Sequence, residues 1–130
     1  TYGGNAIACA AAIATIRAIK EDKLLENVRV RGEQLIGALR ELQEKYSCIG
    51  DVRGLGLMVG VEFTDSGGKP DTGCAKMIIQ ACQREGLLLL TCGPWDNTIR
   101  FLPPLVVSSN EVEHAISTFD QSVEEVSTDG

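Results

Sequence analysis

The sequence predicts an α+β fold: a mixed or antiparallel sheet with helices on one face, preceded by a long apolar helix. Three observations lead there. Hydrophobic periodicity changes along the chain in the order helix, helix, strand, strand, helix, strand, strand, helix. The β-rich stretches come in pairs bounded by glycine and proline, as sheet strands do. The length of 130 residues, with 44% hydrophobic and 23% charged side chains, suits one compact core and is too short for two ordinary ones.

The first element, from Asn5 to Lys20, is almost entirely small and apolar, with Ala8, Ala10, Ala11, Ala12 and Ala14 favouring helix. A helix apolar on nearly every side needs cover all round. The second, from about Leu24 to Tyr46, carries Leu25, Val28, Gly32, Leu35, Leu39, Leu42 and Tyr46 at steps of three and four. Gly32 in that stripe points to close approach of another backbone.

"CIGDVRGLGLMVGVEF" reads as two strands joined around Arg53 and Gly54, with Leu57, Val59, Val61 and Phe63 alternating. "TDSGGKPDTG" is a surface loop rich in turn residues. A helix follows from Cys74 to Glu85, and Gly86 is placed to end it. "LLLLT" from Leu87 and "TIRFL" from Thr98 read as strands, the second stopped by Pro103 and Pro104. In the last helix, Ser108 with Glu111, or Asn110 with Glu113, has capping-box spacing. Val112, Ile116, Phe119 and Val123 form its buried stripe, and "STDG" is expected to fray.

Charge narrows the partners. Acidic residues exceed basic ones by 18 to 12, a net charge of −6, and the basic ones are scattered. That argues against a nucleic-acid or anionic-membrane surface and favours small molecules or proteins. No apolar run approaches the roughly 20 residues of a membrane span. The five cysteines, Cys9, Cys48, Cys74, Cys82 and Cys92, form no CxxC pair, and the single histidine, His114, is far from most of them, so no metal site is expected. An odd number of cysteines fits reduced, mostly buried thiols in a cytoplasmic protein without disulfides. A start without methionine, directly in a motif, suggests a piece of a longer chain.

That motif is "TYGGN". A glycine-rich turn ahead of a helix presents backbone N–H groups and the positive end of the helix dipole, which suit an anion. Capping by Thr1 or Asn5 is the alternative. Arg100, on a strand just before the two prolines, offers a planar fork of donors that matches a carboxylate, and otherwise is an ordinary solvated arginine. Arg53 is expected to pair with a carboxylate near the strand turn. Trp95 is expected to cover the sheet edge, His114 to lie on an exposed helix face, and Cys92 to be inert.

With "TYGGN", "GDVRGLGLMVGVEF" and "IRFLPPL" in this order, the chain resembles the C-terminal part of the class III pyridoxal-phosphate-dependent aminotransferases, in particular the 4-aminobutyrate aminotransferase group. The likeness runs from Thr1 to about Val123. It implies the small C-terminal domain of a fold-type I aminotransferase, with residues 1–22 as an apolar helix linking from a large domain, 23–126 as the small domain and 127–130 as a frayed tail. It implies that Thr1 contacts the phosphate of pyridoxal phosphate in the neighbouring subunit of a homo-oligomer. It also implies that Arg100 binds the α-carboxylate of glutamate or 2-oxoglutarate. The lysine that carries the cofactor in such enzymes lies before the segment Thr1 opens, and none of Lys20, Lys23, Lys45, Lys69 and Lys76 sits in a motif like it. No catalytic residue is therefore assigned, and the chain alone is expected to bind no cofactor and to be inactive. A non-catalytic binding or association module with the same fold is the alternative.

Overall fold

The structure, a computed structural model, describes residues 1 and 3–128. Eight elements follow one another: α1 (Ala6–Glu21), α2 (Leu24–Lys45), β1 (Ile49–Leu55), β2 (Met58–Phe63), α3 (Thr72–Arg84), β3 (Leu90–Cys92), β4 (Thr98–Phe101) and α4 (Ser109–Thr128). This is the predicted order. The strands form one sheet in the order β1-β2-β4-β3, with every pairing antiparallel, so the sheet is not mixed.

Helices α2, α3 and α4 cover one face of it. Leu35 and Leu39 from α2, Ile78 and Cys82 from α3, and Phe119 and Val123 from α4 are buried against Val59, Val61 and Ile99. Phe119 meets Phe63 and Phe101 edge to face, with ring centroids 6.4 and 5.1 Å away, an arrangement that the ring quadrupoles favour.

Local chemistry sets the element ends. Asn5 caps α1, its side-chain oxygen accepting from the Ala8 N–H at 3.1 Å. Asp71 does the same for α3, at 2.9 Å from the Cys74 nitrogen, so that helix starts two residues earlier than expected. Of the two possible capping boxes before α4, Ser108 with Glu111 forms. Glu111 accepts from the Ser108 N–H at 2.7 Å, and the Ser108 hydroxyl accepts from the Glu111 N–H at 3.3 Å. Gly86, at φ +82°, lets the chain leave α3 as expected.

Three expectations are corrected. The β1–β2 joint lies at Gly56–Leu57, because Gly56 takes the left-handed φ of +57° that the turn requires. Arg53 and Gly54 sit inside β1, paired with Gly60 and Val59. Strand β3 begins at Leu90 rather than Leu87. Leu90 faces Arg100, so a longer ladder would run opposite Pro103, which has no N–H to give, and the Leu87 N–H is spent on the Cys82 carbonyl at the end of α3. Leu25, placed in the buried stripe of α2, is 71% exposed on its first turn.

No residue of α1 is buried, and α1 packs only against α2. Ile7, Ile13 and Ile16 on it stand exposed. At the other end α4 remains helical through Thr128, including Ser127 and Thr128 of the tail expected to fray; Asp129 and Gly130 lie outside the described residues, as does Tyr2 of the opening motif.

Candidate functional site

The sheet face away from the helices carries the candidate site residue Arg100. Side chains alternate along β4, so Ile99 and Phe101 enter the core while Arg100 points outward and is exposed. The antiparallel register places Arg53, Gly60, Arg100 and Leu90 in one row across the four strands. Asp51, Glu62, Thr98 and Cys92 form the adjacent row.

The two arginines in the row differ in their surroundings. One guanidinium nitrogen of Arg53 lies 2.6 Å from Asp51 and 2.6 Å from Glu62, which raise its pKa in that order of importance and hold it against β1 and β2. Its expected carboxylate pairing is present, inside the strand pair rather than at the turn. Arg100 has no carboxylate within salt-bridge distance among the described residues. Gly60 stands between them in the row without a side chain.

Arg100 also reaches the rim of a groove of about 510 Å³ between the Leu87–Leu90 stretch, the end of β4 and the start of α4. Leu35, Phe101 and Val112 form part of its wall, and Pro103 and Pro104 close one end. An unpaired cation beside an apolar groove is suited to a ligand with a carboxylate at one end and hydrocarbon behind it. Around the site, Leu55, Met58, Leu88, Leu90 and Leu102 are all more than half exposed.

Thr1 is exposed and does not line this groove. The structure therefore does not bring Thr1 and Arg100 into one pocket. Among the described residues, nothing lies within 4 Å of where a Cβ on Gly3 or Gly4 would stand, and Gly4 takes φ +80°. The turn beside Thr1 is thus open, while Asn5 already satisfies one N–H of the helix start.

Trp95 does not cover the sheet edge; it is 65% exposed on a loop bent by the positive φ of Gly93 and Asp96. Asn97 anchors that loop instead. It is buried, donates its amide to the Phe63 carbonyl at 2.9 Å and accepts the Phe63 N–H on its backbone at 2.8 Å. Cys92 is half-buried, and His114 lies on an exposed face of α4, as expected. Sequence reasoning missed Gly60 and Glu62, although the alternation in "MVGVEF" places both on the outer face. What it lacked was the pairing register.

Fold and site together define the class. The chain matches the class-III aminotransferase family over residues 1–123 and belongs to it. It is 41% identical over 128 residues to the 5-aminovalerate aminotransferase DavT of Pseudomonas aeruginosa, covering 97% of this chain and 30% of that protein. With the 4-aminobutyrate aminotransferase GabT of Escherichia coli it shares 35% over 127 residues, covering 96% and 30%. With ethanolamine-phosphate phospho-lyase homolog 1 of Caenorhabditis elegans it shares 40% over 124 residues, covering 93% and 27%. Among solved structures, an amine transaminase from an uncultivated Pseudomonas species, in its pyridoxal-phosphate-bound form, superposes with a TM-score of 0.87 at 30% identity, covering 97% of this chain and 29% of that one. The chain thus spans 27–30% of the length of these relatives. The fold is the small domain of fold-type I transaminases. No helix among the described residues is long and apolar enough to cross a membrane.

Proposed function

We propose that this chain is the C-terminal part of a longer pyridoxal-phosphate aminotransferase that moves an amino group from an ω-amino acid of the 4-aminobutyrate or 5-aminovalerate type to 2-oxoglutarate. The observation that carries this reading is Arg100. It is exposed on the outer sheet face, without a carboxylate partner among the described residues, and reaches the rim of an apolar groove at the end of β4 and the start of α4. Its fork orients the acid end of glutamate or 2-oxoglutarate, and the groove takes the hydrocarbon.

Residues 1–22 act in this reading as the helix that links from a large domain, and 23–126 as the small domain. The apolar residues left exposed on α1 and on the outer sheet face support it, since both need cover that these residues do not supply. The cofactor, when bound, supplies the electron sink for amino-group transfer. The residues present fit only its phosphate: Thr1 offers a hydroxyl beside an open glycine turn and holds the phosphate of the neighbouring subunit in a homodimer. All five lysines are exposed, on helix surfaces, in the α1–α2 turn or in the loop after β2, and none faces the groove, which supports an inactive chain when taken alone.

The test is a panel of donors with 2-oxoglutarate, assayed on a longer polypeptide that contains this segment. Glutamate formation from 4-aminobutyrate or 5-aminovalerate is the expected result. Phosphate release from phosphoethanolamine without glutamate formation overturns the assignment and favours lyase chemistry.

A further inference from the structure

On the helix-covered side, away from Arg100, two cysteines distant in sequence line one cavity. Cys48 lies between α2 and β1, and Cys74 in the first turn of α3. Both face an opening of about 440 Å³ whose other lining includes Tyr46, Asp71, Met77 and Ser127. The backbone fixes their approach. The Cys48 carbonyl accepts the Thr64 N–H at 2.9 Å, the Phe63 carbonyl accepts the Asp71 N–H at 3.0 Å, and Asp71 accepts the Cys74 N–H at 2.9 Å. Both thiols thus border the same cavity, with the Ser127 hydroxyl 3.8 Å from the Cys48 sulfur. Cys48 is half-buried and reachable from the cavity, whereas Cys74 is 8% exposed.

We propose that Cys48 and Cys74 form a hydroperoxide-responsive dithiol, in which Cys48 is oxidised first and Cys74 closes a Cys48–Cys74 disulfide. The Cys48 thiolate attacks the peroxide O–O bond. Sulfur is oxidised to the sulfenic acid, the bond breaks, and the second oxygen leaves as hydroxide and takes up a proton as water. The Cys74 sulfur then attacks the sulfenic sulfur; the S–S bond forms, the S–O bond breaks, and the Cys74 proton departs with that oxygen as a second water. Two thiols and one hydrogen peroxide thus give one disulfide and two waters.

Electrostatics divide the roles in the same sense. The hydrogen bond from Cys74 is the main cause that brings the Cys48 thiol down to about 6, while the same bond, then burial, pushes Cys74 up. The attacking sulfur is the accessible one with thiolate character, and the resolving sulfur is the buried, protonated one. Asp71 opposes charge on both. Lys45, on the cavity's edge, is engaged by Asp120 at 2.8 Å.

Tryptic mapping of the full chain tests this, because each of the five cysteines falls in its own peptide. After hydrogen peroxide and alkylation at neutral pH, peptide 46–53 should appear mainly joined to peptide 54–76, lighter by two hydrogens than their sum. Cys48→Ser should abolish the joined species completely. Cys74→Ala, with its fold checked by circular dichroism, should instead leave a Cys48 sulfenic acid that dimedone traps. Recovery of both peptides singly alkylated, under conditions that oxidise the exposed Cys9, overturns the proposal. So does joining of Cys48 to any other cysteine in preference to Cys74.

Discussion

Gly32 in α2 and Gly56 at the β1–β2 turn meet backbone against backbone: a Cβ on Gly32 would stand 2.5 Å from the Gly56 carbonyl oxygen. The contact seats α2 on the turn of the strand pair that carries Arg53 and supports β4. Gly32→Ala must displace backbone rather than a flexible side chain. The resulting strain, about 1–3 kcal/mol, should outweigh the gain of up to about 1 kcal/mol in helix propensity. Gly37, on the same helix, has nothing within 4 Å of its Cβ position and is exposed. Gly37→Ala should therefore stabilise the chain, by about 0.5–1 kcal/mol. Urea unfolding of the two variants measures both, and midpoints moving in the same direction would refute the contact.

The helix caps separate an element that belongs to the cooperative core from one that does not. Ser108→Ala removes one arm of the capping box at α4, whose Phe119 and Val123 are in the core, and should cost about 1 kcal/mol of global stability. Asn5→Ala removes an equivalent cap from α1, which has no buried residue. It should lower the helical circular dichroism signal while leaving the unfolding midpoint of the core within about 0.5 kcal/mol of the parent. A large shift in that midpoint would show that α1 is bound to the core more tightly than its exposure implies.

The same box predicts an acid dependence. The Ser108 backbone N–H, then its hydroxyl, hold the Glu111 carboxyl below the usual carboxylate value of 4.5. With the folded pKa below the unfolded one, the unfolded chain binds more protons in that window. The contribution is complete above about pH 5 and is lost as pH falls through 4.5 and below. Asp120 acts in the same sense: burial opposes its charge, but hydrogen bonds from Lys45 and Tyr46 prevail and lower its pKa. Chemical denaturation between pH 6 and 3 should show stability falling on the acid side. In Glu111→Gln that fall should be shallower, and an unchanged slope would remove Glu111 from the account.

Element order and type were readable because each periodicity is strong and three of the four helix starts, all but that of α2, have a side-chain cap, Asn5, Asp71 or Ser108, within a residue or two of the apolar pattern. Gly32 was readable too, since a glycine in a buried stripe has few other uses. The lost features depend on pairing. Which glycine turns the hairpin is decided by register, and "GLG" offers both Gly54 and Gly56 at the right spacing. The length of β3 is set by prolines thirteen or more residues on from Leu90, just past the end of the strand opposite. Arg53 and Arg100 look alike as residue types in strands, and only the pairing register shows that one is neutralised by Asp51 and Glu62 while the other has no carboxylate partner among the described residues. The Cys48–Cys74 approach has no local signature, because it is created by the ladder from β1 through Phe63 to the cap of α3.

The sharpest prediction for the proposed site uses Arg100 and Thr1 as opposite probes in a longer enzyme that contains this segment. If Arg100 grips a carboxylate with two parallel hydrogen bonds, Arg100→Lys keeps the charge but loses the fork. The side chain is exposed and supports no core contact, so the fold should survive. Losing a charge-assisted interaction of about 1.5–3 kcal/mol weakens glutamate and 2-oxoglutarate binding by about 10-fold to 150-fold. Amines without a carboxylate should be affected far less, and cofactor retention should be nearly unchanged, because Arg100 is given no phosphate contact. Thr1→Ala should show the reverse: weaker retention of pyridoxal phosphate, with little selective loss of acid substrates. Half-reaction kinetics for each substrate and a cofactor dissociation titration for both variants make the comparison. Equal losses with carboxylate and non-carboxylate amines in Arg100→Lys would reduce Arg100 to a structural residue of β4, and the groove beside it would lose its assigned ligand.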